Sequence, residues 1–403
     1  MSVVAAAGAL RRERGVSGSR SRGARAAGSA MSGGRAAIAT GPLTSPDHHT
    51  LLITVDRLSP TPELLGVFRV PGSPVAVSSG LHLLTLDRLA SLEQTWSAFA
   101  GLLGASLSDG KLTLPLLSTL AGIDGAELVA LPGVEEFLLL RRIRDEAVSG
   151  KWARIVVDLS GVADPFALLR AAPILEQAIE RLWPRHRRLA TAAQRPVLAQ
   201  LTAAIDSIAR DCADISEVFA DPHVVAGHLV VGADARGARL LAHQFAIADV
   251  MGFPIRSVVL NRGVRAGVAT LTAPDDPQVL VTTIEASATI LDRPARLRKL
   301  AVPLVKPNGV GRGSAVATVA TISGSGLDTV LEMSWQQRLP DPQRFELGRS
   351  DDDLLVTVDG CRHALRLPSV LRRCQVVEGQ WDGQRVRVRF TPDPALWPRD
   401  RGA

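Results

Sequence analysis

The 403-residue sequence has no tyrosine, three cysteines, four methionines and only 4% aromatic residues. Cys212, Cys361 and Cys374 stand far apart and form no CxxC pair. A disulfide framework and a cysteine-based zinc site are thereby excluded, and a reducing compartment, the cytoplasm, is expected. Met1, Met31, Met251 and Met333 are too scattered to build an adaptable methionine-rich groove. No apolar run reaches the roughly 18 residues of a membrane span, because Gly, Pro or Arg cuts each candidate. Excess charge is also scarce outside the N-terminal tail. Residues 1–30 carry Arg11, Arg12, Arg14, Arg20, Arg22 and Arg25 against the single acid Glu13, which is +5 of the chain's net +6. With so little excess left for the remainder, a folded basic face for nucleic acid is excluded.

What is present suits a globular protein. The length allows two domains with proper cores, and 46% hydrophobic with 21% charged residues is ordinary. Residues 1–34 read as an Arg/Gly/Ser-rich tail, expected to be disordered because nothing past Leu10 builds a core. The charges of this tail follow its apolar stretch, the reverse of a secretory signal, and Met31 is an alternative start.

The organising stretch is 130–164. Leu131-Pro132-Gly133 is a turn, and Glu135 and Glu136 then favour the positive end of a helix. Phe137, Leu140, Ile143 and Val148 make an apolar face opposite Arg141, Arg142, Arg144 and Asp145, and Ser149-Gly150 stops the helix. Residues 154–158 form a short apolar strand ending in Asp158, the end where open α/β sheets place ligands.

Other elements follow the same logic. Residues 35–40 are a candidate first strand running into Gly41-Pro42, 51–56 a strand ending in Asp56, and 81–86 another. Helices are expected over 91–103, 112–121 and 171–182, the last stopped by Trp183-Pro184, and over 191–219 with a break at Pro196. Cys212 lies on the apolar stripe of that last region as a small core residue. A strand at 228–232, a helix at 235–251 ended by Gly252 and Pro254, and a strand at 255–262 ending in Asn261-Arg262 complete this part. Residues 309–314 and 323–326 read as a linker. Beyond it, 353–358, 362–367 and 385–390 alternate or nearly so, with Asp359-Gly360 and Asp382-Gly383 as hairpin turns.

The order LPGxEE, helix, hVVD, together with G-h-P-h, strand, N-R, resembles the anion-transporting ATPase family of ArsA/Get type, over about residues 35–310. In that family Asp56 corresponds to the switch I acid that orients the attacking water, although a simple loop cap explains it as well. Asp158 would begin switch II, where Leu168 and Leu169 match but the Pro-Thr-Gly-His core does not. The resemblance makes Gly41, Asn261 and Arg262 nucleotide contacts, with Asn261 reading the base; a turn role for Asn261 is equally open. It also makes 300–304 the last core strand.

The family's phosphate loop, T-G-x-G-G-x-G-K-[ST], is missing. Thr40-Gly41-Pro42 is followed directly by Leu43 through His49, without the glycines, the lysine or the hydroxyl residue that wrap phosphates and hold magnesium. An alternative alignment at 29–36 places Arg35 for the lysine and Ala36 for the hydroxyl, with no good strand before it. The C-terminal part resembles the small-heat-shock-protein-like domain appended to some bacterial members.

The expected fold is therefore α/β: a P-loop-NTPase-like, doubly wound, mostly parallel sheet with helical insertions at about 88–125 and 170–220, a 311–330 linker, and an antiparallel β-sandwich over 331–403. The expected function is a degenerate ATPase acting as a protein-binding scaffold or adaptor, in a homo-dimer or a hetero-dimer with an ArsA-type paralogue. An active enzyme using ATP and Mg2+ to move a hydrophobic or membrane-protein client is the alternative, with Asp56 and Asp158 as its catalytic acids. A third reading makes the sandwich a chaperone-like peptide binder. His48-His49 beside Asp47 lacks a spaced third ligand, so no metal site is assigned, and the cysteines are not clustered for arsenite. Gly309, Gly311 and Gly313 open no helix with a lysine and make no phosphate loop.

Overall fold

The computed structural model describes residues 2–8, 49–108, 119, 121–128, 130–262 and 276–397, the first stretch as backbone alone. Eight strands form the main sheet: β1 (Ser2–Gly8), β2 (Thr50–Thr54), β3 (Val75–Ser78), β4 (Leu81–Thr85), β5 (Arg154–Asp158), β6 (Val225–Gly232), β7 (Ile255–Asn261) and β8 (Leu280–Ile284). Their spatial order is β3-β4-β2-β5-β1-β6-β7-β8. β2 runs parallel to β4 and β5, β6 to β7, and β7 to β8. β1 is antiparallel to both β5 and β6, so those two point the same way and six strands share one direction. β6 and β7 are buried along nearly their whole length, as strands covered on both faces must be.

Seven helices matter for the argument: α1 (Arg88–Ser108), α2 (Val134–Val148), α3 (Pro165–Leu169), α4 (Ala171–Leu182), α5 (Arg185–Gln194), α6 (Ala199–Ala220) and α7 (Ala235–Met251). α2 begins at Gly133, whose φ of 85° suits glycine, and the Glu136 carboxylate accepts from the Gly133 N–H at 2.8 Å. Its buried face is Phe137 through Leu140 with Ile143 and Ala147, whereas Val148 is 56% exposed, correcting the expected stripe. Arg144 is also less solvated than expected, because it turns to Asp211 of α6 at 2.8 Å. Cys212 is fully buried in the core, as its stripe implied.

The C-terminal domain has β9 (Thr318–Ser323), β10 (Val330–Gln336), β11 (Phe345–Ser350), β12 (Asp353–Val358), β13 (Cys361–Arg366), β14 (Cys374–Trp381) and β15 (Arg385–Pro392). They form antiparallel sheets in the orders β14-β15-β10-β9 and β11-β12-β13. Every second residue of β10 and β15 points inward, so Leu331, Met333, Trp335, Val386, Val388 and Phe390 fill the space between the sheets. Asp359 and Gly360 both have positive φ, 50° and 80°, the signature of the tight turn their sequence implied.

Three differences from expectation have physical causes. Ser2–Gly8 is a strand and not part of an unstructured 1–34 tail, since its small uncharged residues precede the arginines and pair with β5 and β6 on both sides. The expected first strand at 35–40, and Gly41 after it, lie outside the described residues. Residues 300–304 form no strand, because Ala301 takes a left-handed φ of 46° and Pro303 lacks a ladder donor; β8 is the edge strand instead. The expected 311–330 linker is structured: its β9 pairs with β10 of the C-terminal domain, and Ser314 Oγ donates to the Val250 carbonyl of α7 at 2.5 Å.

Candidate functional site

Because six strands share a direction, their C-terminal ends line one edge of the sheet. Thr54 of β2 is in register with Asp158 of β5, so Asp56, two residues past Thr54, and Asp158 leave adjacent strands side by side. Each acid closes its own loop. Asp56 Oδ1 accepts from the Leu58 N–H at 2.8 Å, and Asp158 Oδ1 accepts from the Ser160 N–H at 2.8 Å. Further on, Asp164 Oδ1 accepts from Phe166 and Ala167 N–H at 3.0 and 2.9 Å and caps α3, whose first residue is Pro165.

The two loops touch at a residue to which sequence reasoning assigned no role. Gly161 has a φ of 85°, and a β-carbon there would stand 2.2 Å from Asp56 Oδ2. Only glycine admits the Asp56 carboxylate so close. A lone glycine after a strand acid was the only local sign. Beside this contact opens a cleft of about 580 Å³, bordered by Gly161, Asp164, Arg88 and Glu136, with half-exposed Ile174 at its far side.

Asn261 and Arg262 end β7, three strand steps from Asp158, roughly 14 Å away at the usual ~4.8 Å spacing. The Asn261 carbonyl accepts from the Ala233 N–H at 3.1 Å, which ties the ends of β6 and β7 together. Arg262 leans outward to Glu285 at 3.1 Å, and both are exposed. The structure thus joins Asp56 with Asp158 and sets Asn261 with Arg262 apart from them. Gly41 lies outside the described residues.

Mg-ATP would need donors for its phosphates at these strand ends. The N-terminus of α7, the helix after β6, is already taken: Asp234 Oδ1 accepts from the Gly237 N–H at 2.6 Å. A carboxylate in that position repels phosphate instead of yielding the helix end to it. Asp56 and Asp158 are each bonded to their own loop. Among the described residues this helix end is thus closed to phosphate, and Gly41 with the stretch that follows it lies outside them.

Other candidate ligands fall elsewhere. His49 lies at the opposite edge of the sheet, where its carbonyl accepts from Ala153 N–H at 2.9 Å and its ring tilts against His82 at 5.6 Å. His48 is outside the described residues. All three cysteines are buried, and burial, with Glu176 and Asp211 nearby, pushes the Cys212 thiol up to about 12. Among the described residues no group of three or more His, Cys, Asp or Glu could hold a metal ion. No helix among them is long and apolar enough to cross a membrane.

Known proteins resemble this chain in sequence. Residues 29–265 match the anion-transporting ATPase family, and residues 333–390 match the HSP20-like domain found in ArsA. The Mycobacterium tuberculosis protein Rv2184c is 30% identical over 386 residues, covering 86% of this chain and 90% of its own. The Streptomyces coelicolor protein SCO2128 is 29% identical over 382 residues, covering 87% of this chain and 92% of its own. The strand ends that carry Asp56, Asp158 and Asn261 lie inside the first match, and the sandwich carries the second. The chain belongs to the ArsA anion-transporting ATPase family and bears that family's HSP20-like domain at its C-terminal side.

Proposed function

We propose that this chain is a degenerate ArsA-type ATPase that serves as a protein-binding scaffold or adaptor and hydrolyses ATP weakly or not at all. The observation that carries this reading is the Asp56 carboxylate packed against Gly161, which turns the switch I-type acid onto the switch II-type loop. Two further features support it: the missing phosphate loop after Thr40-Gly41, and the Asp234 carboxylate on the helix end beside β6. On this reading the protein works as a homo-dimer or as a hetero-dimer with a catalytically intact paralogue. The cleft beside Gly161 and the sandwich offer surfaces for its partners.

One observation favours the second reading, an active ATPase that moves a hydrophobic or membrane-protein client. Asp56 and Asp158 still end adjacent parallel strands, where the family's catalytic acids belong. That reading needs ATP, Mg2+ and a phosphate-binding element from 9–48 or from a partner.

Calorimetry with Mg-ATP on the full chain, alone and mixed with an intact family member from the same genome, separates the two. The scaffold reading expects no saturable heat from the chain alone and no added turnover in the mixture. Micromolar binding with turnover that Asp56→Ala and Asp158→Ala abolish overturns it.

A further inference from the structure

The seam between the sheet domain and the sandwich has a closed part and an open part. The open part is a cleft of about 330 Å³ between α4 and the β12–β13 hairpin. Arg170, Arg181 and Arg362 line it, and no Asp or Glu is among its lining residues.

Arg170 is the central group. Its Nε donates to the Phe166 carbonyl at 3.3 Å and its Nη1 to the Arg362 carbonyl at 3.2 Å. These bonds orient the guanidinium without cancelling its charge, and no described carboxylate forms an ion pair with it. The other two are loosely compensated from outside the cleft: Arg181 by Asp353 at 3.8 Å and Asp351 at 4.0 Å, Arg362 by Glu346 at 3.6 Å. The pairs with Asp351 and Glu346 are long and exposed, hold little energy and yield to a better anion, and Asp353 keeps Arg366 and Gln177 as partners when Arg181 turns from it. His363 also borders the cleft. Its pKa is pushed down to about 4, first by burial and then by Arg170, so it meets a ligand as a neutral hydrogen-bonding group. Apolar side chains share both walls with the arginines, Pro173 and Ile174 between Arg170 and Arg181 on the helix side and Leu355 and Ala364 beside Arg362 on the hairpin. Ile174 is 53% exposed there.

We propose that this cleft binds an amphiphilic anion, a small molecule whose carboxylate or phosphate head is held by Arg170, Arg181 and Arg362 while its apolar body lies against Ile174, Pro173 and Leu355. Guanidinium forks match planar carboxylate and phosphate oxygens bidentately, and a half-closed cleft strengthens such bonds relative to water. The ligand touches both domains, so it stabilises their docked arrangement by mass action. Arg170 directly follows α3, so the site sits at the end of the segment that begins at Asp158. It adjoins the cleft beside Gly161 through Ile174 but uses neither Asp56 nor Gly161, and it stands whether or not ATP binds.

The test uses the full chain at fixed ionic strength, with thermal melting and calorimetry against octanoate, octyl phosphate, inorganic phosphate and uncharged octanol. The proposal expects saturable binding of octanoate or octyl phosphate, whichever head the site prefers, and none of octanol. The double variant Arg181→Gln/Arg362→Gln should raise the dissociation constant at least tenfold, leaving the backbone bonds of Arg170 in place. Ile174→Ser, an uncharged change at an exposed helix position one turn past Arg170, removes apolar contact without adding a charge and should weaken binding as much. No saturable binding of either octyl anion, or unchanged binding in both variants, overturns the proposal. So does inorganic phosphate binding as tightly as octyl phosphate, which would remove the apolar body.

Discussion

The sandwich rests on two helices, and the two contacts are built differently. On α7 the charges are tightly partnered. Asp249, 2% exposed, accepts from Arg338 Nη2 at 2.6 Å, from its Nε at 2.8 Å and from its backbone N–H at 2.9 Å. Arg312 joins the same group, reaching Asp276 at 2.8 Å, and the Arg338 guanidinium lies 3.9 Å over the Phe245 ring. Ala246 and Val250 of α7 enter the core of the sandwich itself. On α4 the arginines are held at long range and a cleft remains. The first contact is a joint; the second has spare positive charge and spare volume. Burial decides between them: a carboxylate sunk in the joint must be fully bonded, whereas the exposed Asp351 and Glu346 at the cleft carry no such demand.

Breaking the joint should have the largest effect. Asp249→Ala takes the two-pronged partner from Arg338 and leaves Asp276 alone to compensate Arg338 and Arg312, and a loss of about 3–5 kcal/mol is expected in urea unfolding. A loss below ~1 kcal/mol would put the joint in the same class as the cleft and erase the contrast.

Acid should act next. His228 is 1% exposed, with Nδ1 2.6 Å from Ser257 Oγ, and burial followed by Arg256 holds its pKa at about 4 against an ordinary 6.5. The unfolded chain takes this proton more readily than the folded one. Its contribution is therefore fully present above pH 6.5 and is lost as pH falls from 6.5 toward 4, by roughly 3 kcal/mol. His363 at the cleft is shifted in the same direction, in part by Arg170. Urea melts between pH 7 and 4 on His228→Gln should show a flatter profile than the parent; an unchanged profile would move the acid sensitivity to the cleft.

The smallest expected effect sharpens the link between the loops and α4. Gly161→Ala forces a side chain into a left-handed φ and against Asp56, costing about 1–3 kcal/mol. Adding Asp56→Ala removes the obstruction and should recover part of the loss in thermal melts. Strict additivity of the two changes would show that the loops do not press on each other.

Much of this was legible where the signal is local. α7 and β7 occupy the residues their pattern marked, because Asp234 caps the helix, Gly252 ends it at a φ of 66°, and Val258-Val259-Leu260 gives β7 an apolar centre. Asp56 and Asp158 were identifiable as acids at or just past strand ends for the same reason. What escaped was pairing at a distance. Arg170 and Arg362 meet across a separation of 192 residues, and nothing near either one marks the other. β9 looked like a linker because every residue of Thr318–Ser323 is exposed and the strand has no buried alternation to betray it. Val148 looked buried because helical spacing alone does not say how wide a face the neighbours cover.

The sequence by itself determined the two kinds of domain, the parallel strands with acids at or beyond their ends, and the absence of a phosphate loop after Gly41. Those follow from periodicity, caps and turn residues, which act within a few positions along the chain. Only the tertiary structure decided that Asp56 lies on Gly161, that Asp234 takes the helix end beside β6, and that the sandwich is bolted to α7 while it stands off from α4. Backbone approach and charge burial set those outcomes, and both depend on which distant segments are brought together.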